Sequence, residues 1–347
     1  MIQSDLNKIH KVITVCDAHC DTVDRLMKGV DLGTKSVKGQ VDIPRLIEGG
    51  VELQVFACCI DKSGKSPEFY SQLAKKKLNT LHQQFNKHSK SIELALKLSD
   101  LHRINQNGKI TAMLAIESGQ AIENDINKLH TFYNQGVRIM TLTWKSTEWA
   151  DASQEKMKHN GLTDFGRSVV KEMNKLGMII GVSHSADKTV MDVLKTSNDS
   201  IIASHSCAKA ICDHPRNLSD KLIKDIAHSG GVICVNFYAL HLDQKFKNEY
   251  DKKKNPEPPS FTKVIDHIEH VIKVGGIDAV GLGSDFDGRI IPPKGLEDVS
   301  KMPKITEALL ARGYLEEEIV KIMSSPRRQE SSFYRTRFIL VSKFRLE

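Results

Sequence analysis

The sequence predicts an α/β protein folded as a closed (β/α)8 TIM barrel. Eight short apolar runs rich in β-branched residues recur along the 347 residues, and stretches of helical period separate them. Ionisable residues gather at the C-terminal ends of those runs. Eight alternations favour a closed barrel over an open doubly wound sheet. No glycine-rich dinucleotide turn follows the first run, which also counts against the open sheet.

Residues 12–21 (VITVCDAHCD) begin as a buried strand and end in polar residues. Strand alternation puts His19 and Asp21 on one face and Cys20 on the other. The second to fourth runs are residues 53–60 (LQVFACCI), 110–117 (ITAMLAIE) and 137–144 (VRIMTLTW). Residues 178–184 (MIIGVSH), 200–205 (SIIASH), 231–237 (GVICVNF) and 279–285 (AVGLGSD) complete the eight. Helical period marks 67–85, 163–176 and 187–195. Thr163, with Asp164 and Gly166 behind it, suits a helix start, and Gly177 suits the stop.

Composition narrows the class. Hydrophobic residues make up 40% and charged residues 27%, an ordinary globular balance that excludes disorder over the whole chain. The net charge of +7 comes from scattered lysines with few aromatics among them, which speaks against nucleic acid. Seven cysteines without a C-x-x-C pair point to reduced thiols and a cytoplasmic setting. No apolar run is long enough to span a membrane, and the start of the chain has no signal core. A homodimer is neither required nor excluded by the sequence.

His19, Asp21, Glu117, His184, His205 and Asp285 all fall at or just past strand C-termini, where such barrels build their sites. One strand-end histidine or carboxylate is usually just a satisfied polar group, but that reading does not explain six converging ones. Three histidines with Asp21 and Glu117 exceed the ligand set of one four-coordinate zinc that also keeps a water. They suit two metals, about 3.5–4 Å apart, with a carboxylate between them and a hydroxide available at neutral pH. Such a site hydrolyses an amide or ester without a covalent intermediate. No G-x-S-x-G elbow competes for the role of nucleophile.

Five stretches carry a family resemblance: DAHCD (17–21), AIESG (115–119), GVSH (181–184), SHS (204–206) running on to HPRN (214–217), and GLGSDFDG (281–288). The chain resembles the membrane-dipeptidase (renal dipeptidase, peptidase M19) family of zinc peptidases, amidohydrolase-like barrels of the metal-dependent hydrolase type. The likeness runs from residue 12 to about 323. It implies a metallodipeptidase acting on small dipeptides with two zinc ions per chain. His19 and Asp21 would hold one zinc, His184 and His205 the other, and Glu117 would bridge them. Arg216 would bind the substrate's free carboxylate, a task its planar fork suits. Asp285 would move a proton from the attacking water to the leaving amine. Trp144 would border the substrate; His214, two residues before Arg216, reads from its position either as lining the pocket or as a surface loop histidine.

Two departures stand out. The family places a histidine after T-L-T at the end of strand four, and here Trp144 follows, with one indole N–H and no charge. It also often carries an acidic residue three before the strand-five histidine, where this chain has Gly181, so the His184 side would lose a supporting carboxylate. Two rivals therefore remain beside the dipeptidase: a hydrolase of another amide, ester or lactone, and a metal-binding homologue without turnover.

The expected division is one catalytic domain over 1–323 and a divergent basic tail over 324–347. The tail has six basic and two acidic residues. Cys20, Cys58 and Cys59 are expected to pack between barrel and helices. The polar stretch 242–260 reads as a partial lid or a plain loop.

Overall fold

In the computed structural model, which describes residues 10, 13–61 and 68–323, all eight expected runs contain strands. Among the described residues there are nine strands: β1 (Val15–Cys20), β2 (Val51–Cys59), β3 (Ile92–Leu94), β4 (Ile110–Glu117), β5 (Val137–Thr141), β6 (Ile179–Gly181), β7 (Ile201–Ala203), β8 (Val232–Val235) and β9 (Val280–Leu282). The unforeseen one, β3, is too short to announce itself. It pairs only with the start of β4, Ile92 opposite Ile110, outside the ring.

The remaining strands run parallel in the order β1-β2-β4-β5-β6-β7-β8-β9. The ring closes through a parallel bridge between Cys20 and Phe286. There the Asp21 N–H donates to the Phe286 carbonyl (2.9 Å) and the Asp285 N–H to the His19 carbonyl (3.1 Å). This is the (β/α)8 barrel expected. Its seam falls among the ionisable residues.

Period-two alternation divides the core in two. Leu53, Val55 and Ala57 of β2, Met113 and Ala115 of β4, Ile139, Ile179, Ile202 and Cys234 fill the lumen. Phe56, Cys58, Leu114, Ile116 and Met140 face the helices. In β1 the alternation is broken on purpose of geometry: Cys16 and Ala18 lie with the lumen, yet Cys20 packs with the outer layer. The register accounts for it, because Asp17 pairs with Gln54 but Cys20 with Phe56, so β1 holds one residue more than β2 over that interval. A bulge of this kind reverses the phase of everything beyond it. It turns His19 and Asp21 into the mouth; strict alternation from Cys16 would have turned them away.

The helices expected at 163–176 and 187–195 are present as Asp164–Leu176 and Asp187–Thr196. Thr163 caps the first, accepting from the Gly166 N–H, and Gly177 ends it with a φ of 71°. The stretch expected at 67–85 is helical over Phe69–Lys87. Part of 242–260 is also helical, over Gln244–Asp251, held down by buried Phe246. No described helix is long and apolar enough to cross a membrane. The tail at 324–347 lies outside the described residues.

Asp17 ties the two ends of the ring together. It is fully buried on β1 and accepts from Ser284 Oγ (2.6 Å), the Ser284 N–H (2.8 Å) and Gln54 Nε2 (3.0 Å). Ser284 lies just past β9, so one carboxylate joins the first strand to the last. Asp17→Ala leaves buried donors without an acceptor, at about 1–3 kcal/mol for each. A drop in the urea unfolding midpoint worth about 2–4 kcal/mol is expected; an unchanged midpoint would show that closure does not depend on this carboxylate.

Candidate metal centre

The structure brings together the six ionisable residues singled out above. His19 and Asp21 reach the mouth past the β1 bulge, and Glu117 is the last residue of β4. His184, His205 and Asp285 follow β6, β7 and β9 by a few residues. His184 and Asp285 both adopt left-handed backbone, with φ of 68° and 65°. Non-glycine residues pay about 1–3 kcal/mol for that conformation, and here it aims both side chains inward.

Glu117 is at the centre. Its Oε1 lies 2.9 Å from His184 Nε2, 3.2 Å from His205 Nε2 and 3.8 Å from His19 Nε2. His19 Nε2 is also 3.8 Å from Asp21 Oδ2. Neither 3.8 Å separation is a hydrogen bond. His19 Nε2 and Asp21 Oδ1 are both buried without a hydrogen-bond partner. The groups His19, Glu117, His205 and His19, Asp21, Asp285 each bring one donor atom within 4.8 Å of the others.

The orientation of these groups is fixed from behind. Ser204 Oγ is 3.0 Å from His205 Nδ1, which leaves Nε2 toward Glu117. Asn236 Nδ2 donates to Asp285 Oδ2 (2.9 Å) and leaves Oδ1 free. At Gly288 a Cβ would stand 2.5 Å from Asp285 Oδ1 and 2.7 Å from Asp21 Oδ2. Glycine there keeps open the space that both carboxylates face.

Charges in this space are far from their ordinary values. Burial pushes the Asp285 carboxyl well up, and Asp21 and Glu117 add to it. Asp21 is raised by burial and by Glu117. Burial acts the same way on Glu117, but the charge of His19 and the contacts with His184 and His205 outweigh it and hold Glu117 low. His184 and His205 are pushed down, first by burial. Crowded carboxylates with raised values beside neutral imidazoles are the condition that divalent cations relieve. A mixed nitrogen and oxygen donor set with unpartnered atoms fits borderline metals such as zinc.

Arg216 is buried beneath the histidines, 4% exposed, and its NH2 donates to the His205 carbonyl (3.3 Å). It forms no ion pair with any described carboxylate. Its backbone N–H donates to His214 Nδ1 (3.1 Å), and the His214 ring packs 4.5 Å from that of His241. Trp144 is half-buried on the other side, its ring 6.2 Å from the His184 ring. The acidic residue that the family often carries at the position of Gly181 would have no room here: a Cβ there would stand 2.7 Å from Thr141 Oγ1. His184 is steadied instead by its own backbone, whose carbonyl accepts from the Ser153 N–H (2.7 Å).

One expectation is overturned, and three further residues border the centre. Cys20 and Cys58 do pack in the outer layer, but Cys59 does not; its sulfur stands beside Asp21 and Glu117. Asn236 falls inside the apolar run 231–237 and was not singled out from the sequence. Buried His241, with Nδ1 unpartnered, gave no signal at all.

With this geometry in view, comparisons with known proteins are specific. The sequence model of a family described as membrane dipeptidase (peptidase family M19) matches residues 3–325. Dipeptidase tcpJ of Claviceps purpurea is 33% identical over 299 residues, 84% of this chain and 68% of that protein. Among solved structures, dipeptidase AC, a metallopeptidase of family M19, superposes with a TM-score of 0.80 at 27% identity, covering 90% of this chain and 95% of that one. A metallopeptidase of Rhodobacter sphaeroides liganded with a phosphinate mimic of the dipeptide L-Ala-D-Ala gives 0.80 at 26%, covering 90% and 96%.

Gly288→Ala should force the Asp21 and Asp285 carboxylates out of the shared space while leaving the ring intact. Metal affinity should fall by roughly 10–100-fold with an unchanged unfolding midpoint, read by elemental analysis after dialysis against a graded chelator. Native affinity in the variant would show that Gly288 does not guard the site.

Proposed function

Because the chain belongs to the membrane dipeptidase family, peptidase M19, and is a dipeptidase with a metal cofactor, we propose that two zinc ions serve it at this centre. The observation that carries the proposal is Glu117, one carboxylate oxygen set among three imidazoles that come from separate strands. His19 and Asp21 would hold one ion, His184 and His205 the other, with Glu117 shared. Bound there, the pair would bring the attacking water's pKa near neutrality and polarise the scissile carbonyl.

The remaining work belongs to the protein's own groups. Asp285 Oδ1, the oxygen that Asn236 leaves free, would take the water's proton and deliver it to the departing amine. Arg216 would meet the substrate's terminal carboxylate; a buried guanidinium without an ionic partner among the described residues invites one. That contact confines the substrate to two residues, because the carboxylate must sit close to the bond being cut. His214 would flank Arg216, and Trp144 would border the substrate beside His184 with its single N–H. The phosphinate mimic held by the Rhodobacter sphaeroides relative supports a substrate of dipeptide size.

The first test is metal content per chain together with turnover on a panel of L,L and L,D dipeptides. Two zincs with turnover are expected; turnover with one ion per chain would sink the paired reading. His205→Ala should lose at least one ion and all measurable turnover. Arg216→Ala should raise KM for free dipeptides by the equivalent of about 1.5–3 kcal/mol, with little change on a dipeptide amide. Equal loss on both substrates would contradict the carboxylate role.

A further inference from the structure

Along β2 the side chains of Leu53, Val55 and Ala57 point into the lumen, and the same face next carries Cys59 at the mouth. The register sets Cys59 opposite Glu117. Its sulfur, an oxygen of Asp21 and an oxygen of Glu117 all lie within 4.8 Å of one another. Cys59 is 7% exposed and belongs to neither apolar cluster, whereas its neighbour Cys58 packs against the helices. The strand end that carries it is held by Lys77, a fully buried lysine whose Nζ donates to the Cys59 carbonyl (2.6 Å) and pairs with Asp24 (2.6 Å). Asp21 Oδ1 is buried and unpartnered, as is His19 Nε2, which lies 3.8 Å from both Asp21 Oδ2 and Glu117 Oε1.

We propose that Cys59 Sγ is a further ligand of the ion held by His19 and Asp21. This rests on the two-metal reading above and adds to it a difference between the two positions: one has a sulfur donor, the other does not. A thiol that binds a metal gives up its proton, so the metal–sulfur bond forms as the S–H proton leaves to solvent. Sulfur is a soft donor, so the His19 position would select zinc, cobalt or cadmium over magnesium and manganese, while the His184 position would discriminate less.

The test uses the full-length chain, stripped of metal and reloaded with cobalt(II), with ions counted per chain and the absorption spectrum recorded. The native protein should show visible cobalt bands together with a near-ultraviolet thiolate-to-cobalt charge-transfer band. Cys59→Ser and Cys59→Ala should lose only the charge-transfer band and bind the first cobalt roughly 10–100-fold more weakly. The native spectrum alone is decisive if a variant folds poorly: cobalt bound without the charge-transfer band overturns the inference and leaves the metal pair standing. A band that survives both substitutions also overturns it. A native chain that takes up no cobalt defeats the two-metal reading and the inference together.

Discussion

Three carboxylates, three imidazoles and a guanidinium share one buried volume at the mouth of the barrel, and they cannot all keep their ordinary charges there. Burial raises Asp21 and Asp285 and lowers His184 and His205, while Glu117 stays ionised only because His19 and its other imidazole neighbours surround it. Such a cluster is costly without cations and stable with them. The metal requirement of the family is in this sense built into the electrostatics of the mouth. Everything around it serves to hold like charges closer together than they would choose to sit.

The barrel seam supplies that restraint. β1 brings His19 and Asp21, and the turn after β9 brings Asp285, so two parts of the centre meet only when the ring closes. The backbone bonds around Cys20 and Phe286 close it, and the Asp17 carboxylate ties Ser284 to β1 from below. The bulge in β1 matters as much as the seam. One extra residue reverses the phase of the strand, and His19 and Asp21 turn inward. The left-handed backbone at His184 and Asp285 is further strain that the surrounding structure sustains.

The departures from the family pattern fall on one side of the centre. Gly181 does not mark a missing support so much as a close approach of β5 and β6, since Thr141 occupies the space a side chain would need. Trp144 puts a bulky neutral ring beside His184. On the opposite side Cys59 adds a thiol beside Asp21. The His184 side and the Asp21 side of the centre therefore differ in their donor atoms and in the walls around them.

Much of this was legible in the sequence. The eight apolar runs fixed the strands, Thr163 and Gly177 fixed a helix between them, and polar residues at the run ends located the mouth, because burial and backbone hydrogen bonding impose a local pattern. The tertiary structure alone decided the rest. The β1 bulge exists only against the register of β2, the space beside Gly181 is taken by a neighbouring strand, and the place of Cys59 depends on how β2 aligns with β4. Asn236 stands directly after β8 and His241 in the short helix Ala239–Leu242, and neither position by itself records which side chains it meets. Periodicity tells which face a side chain takes within its own strand; which atoms share a volume is settled by how the strands are staggered when the ring closes.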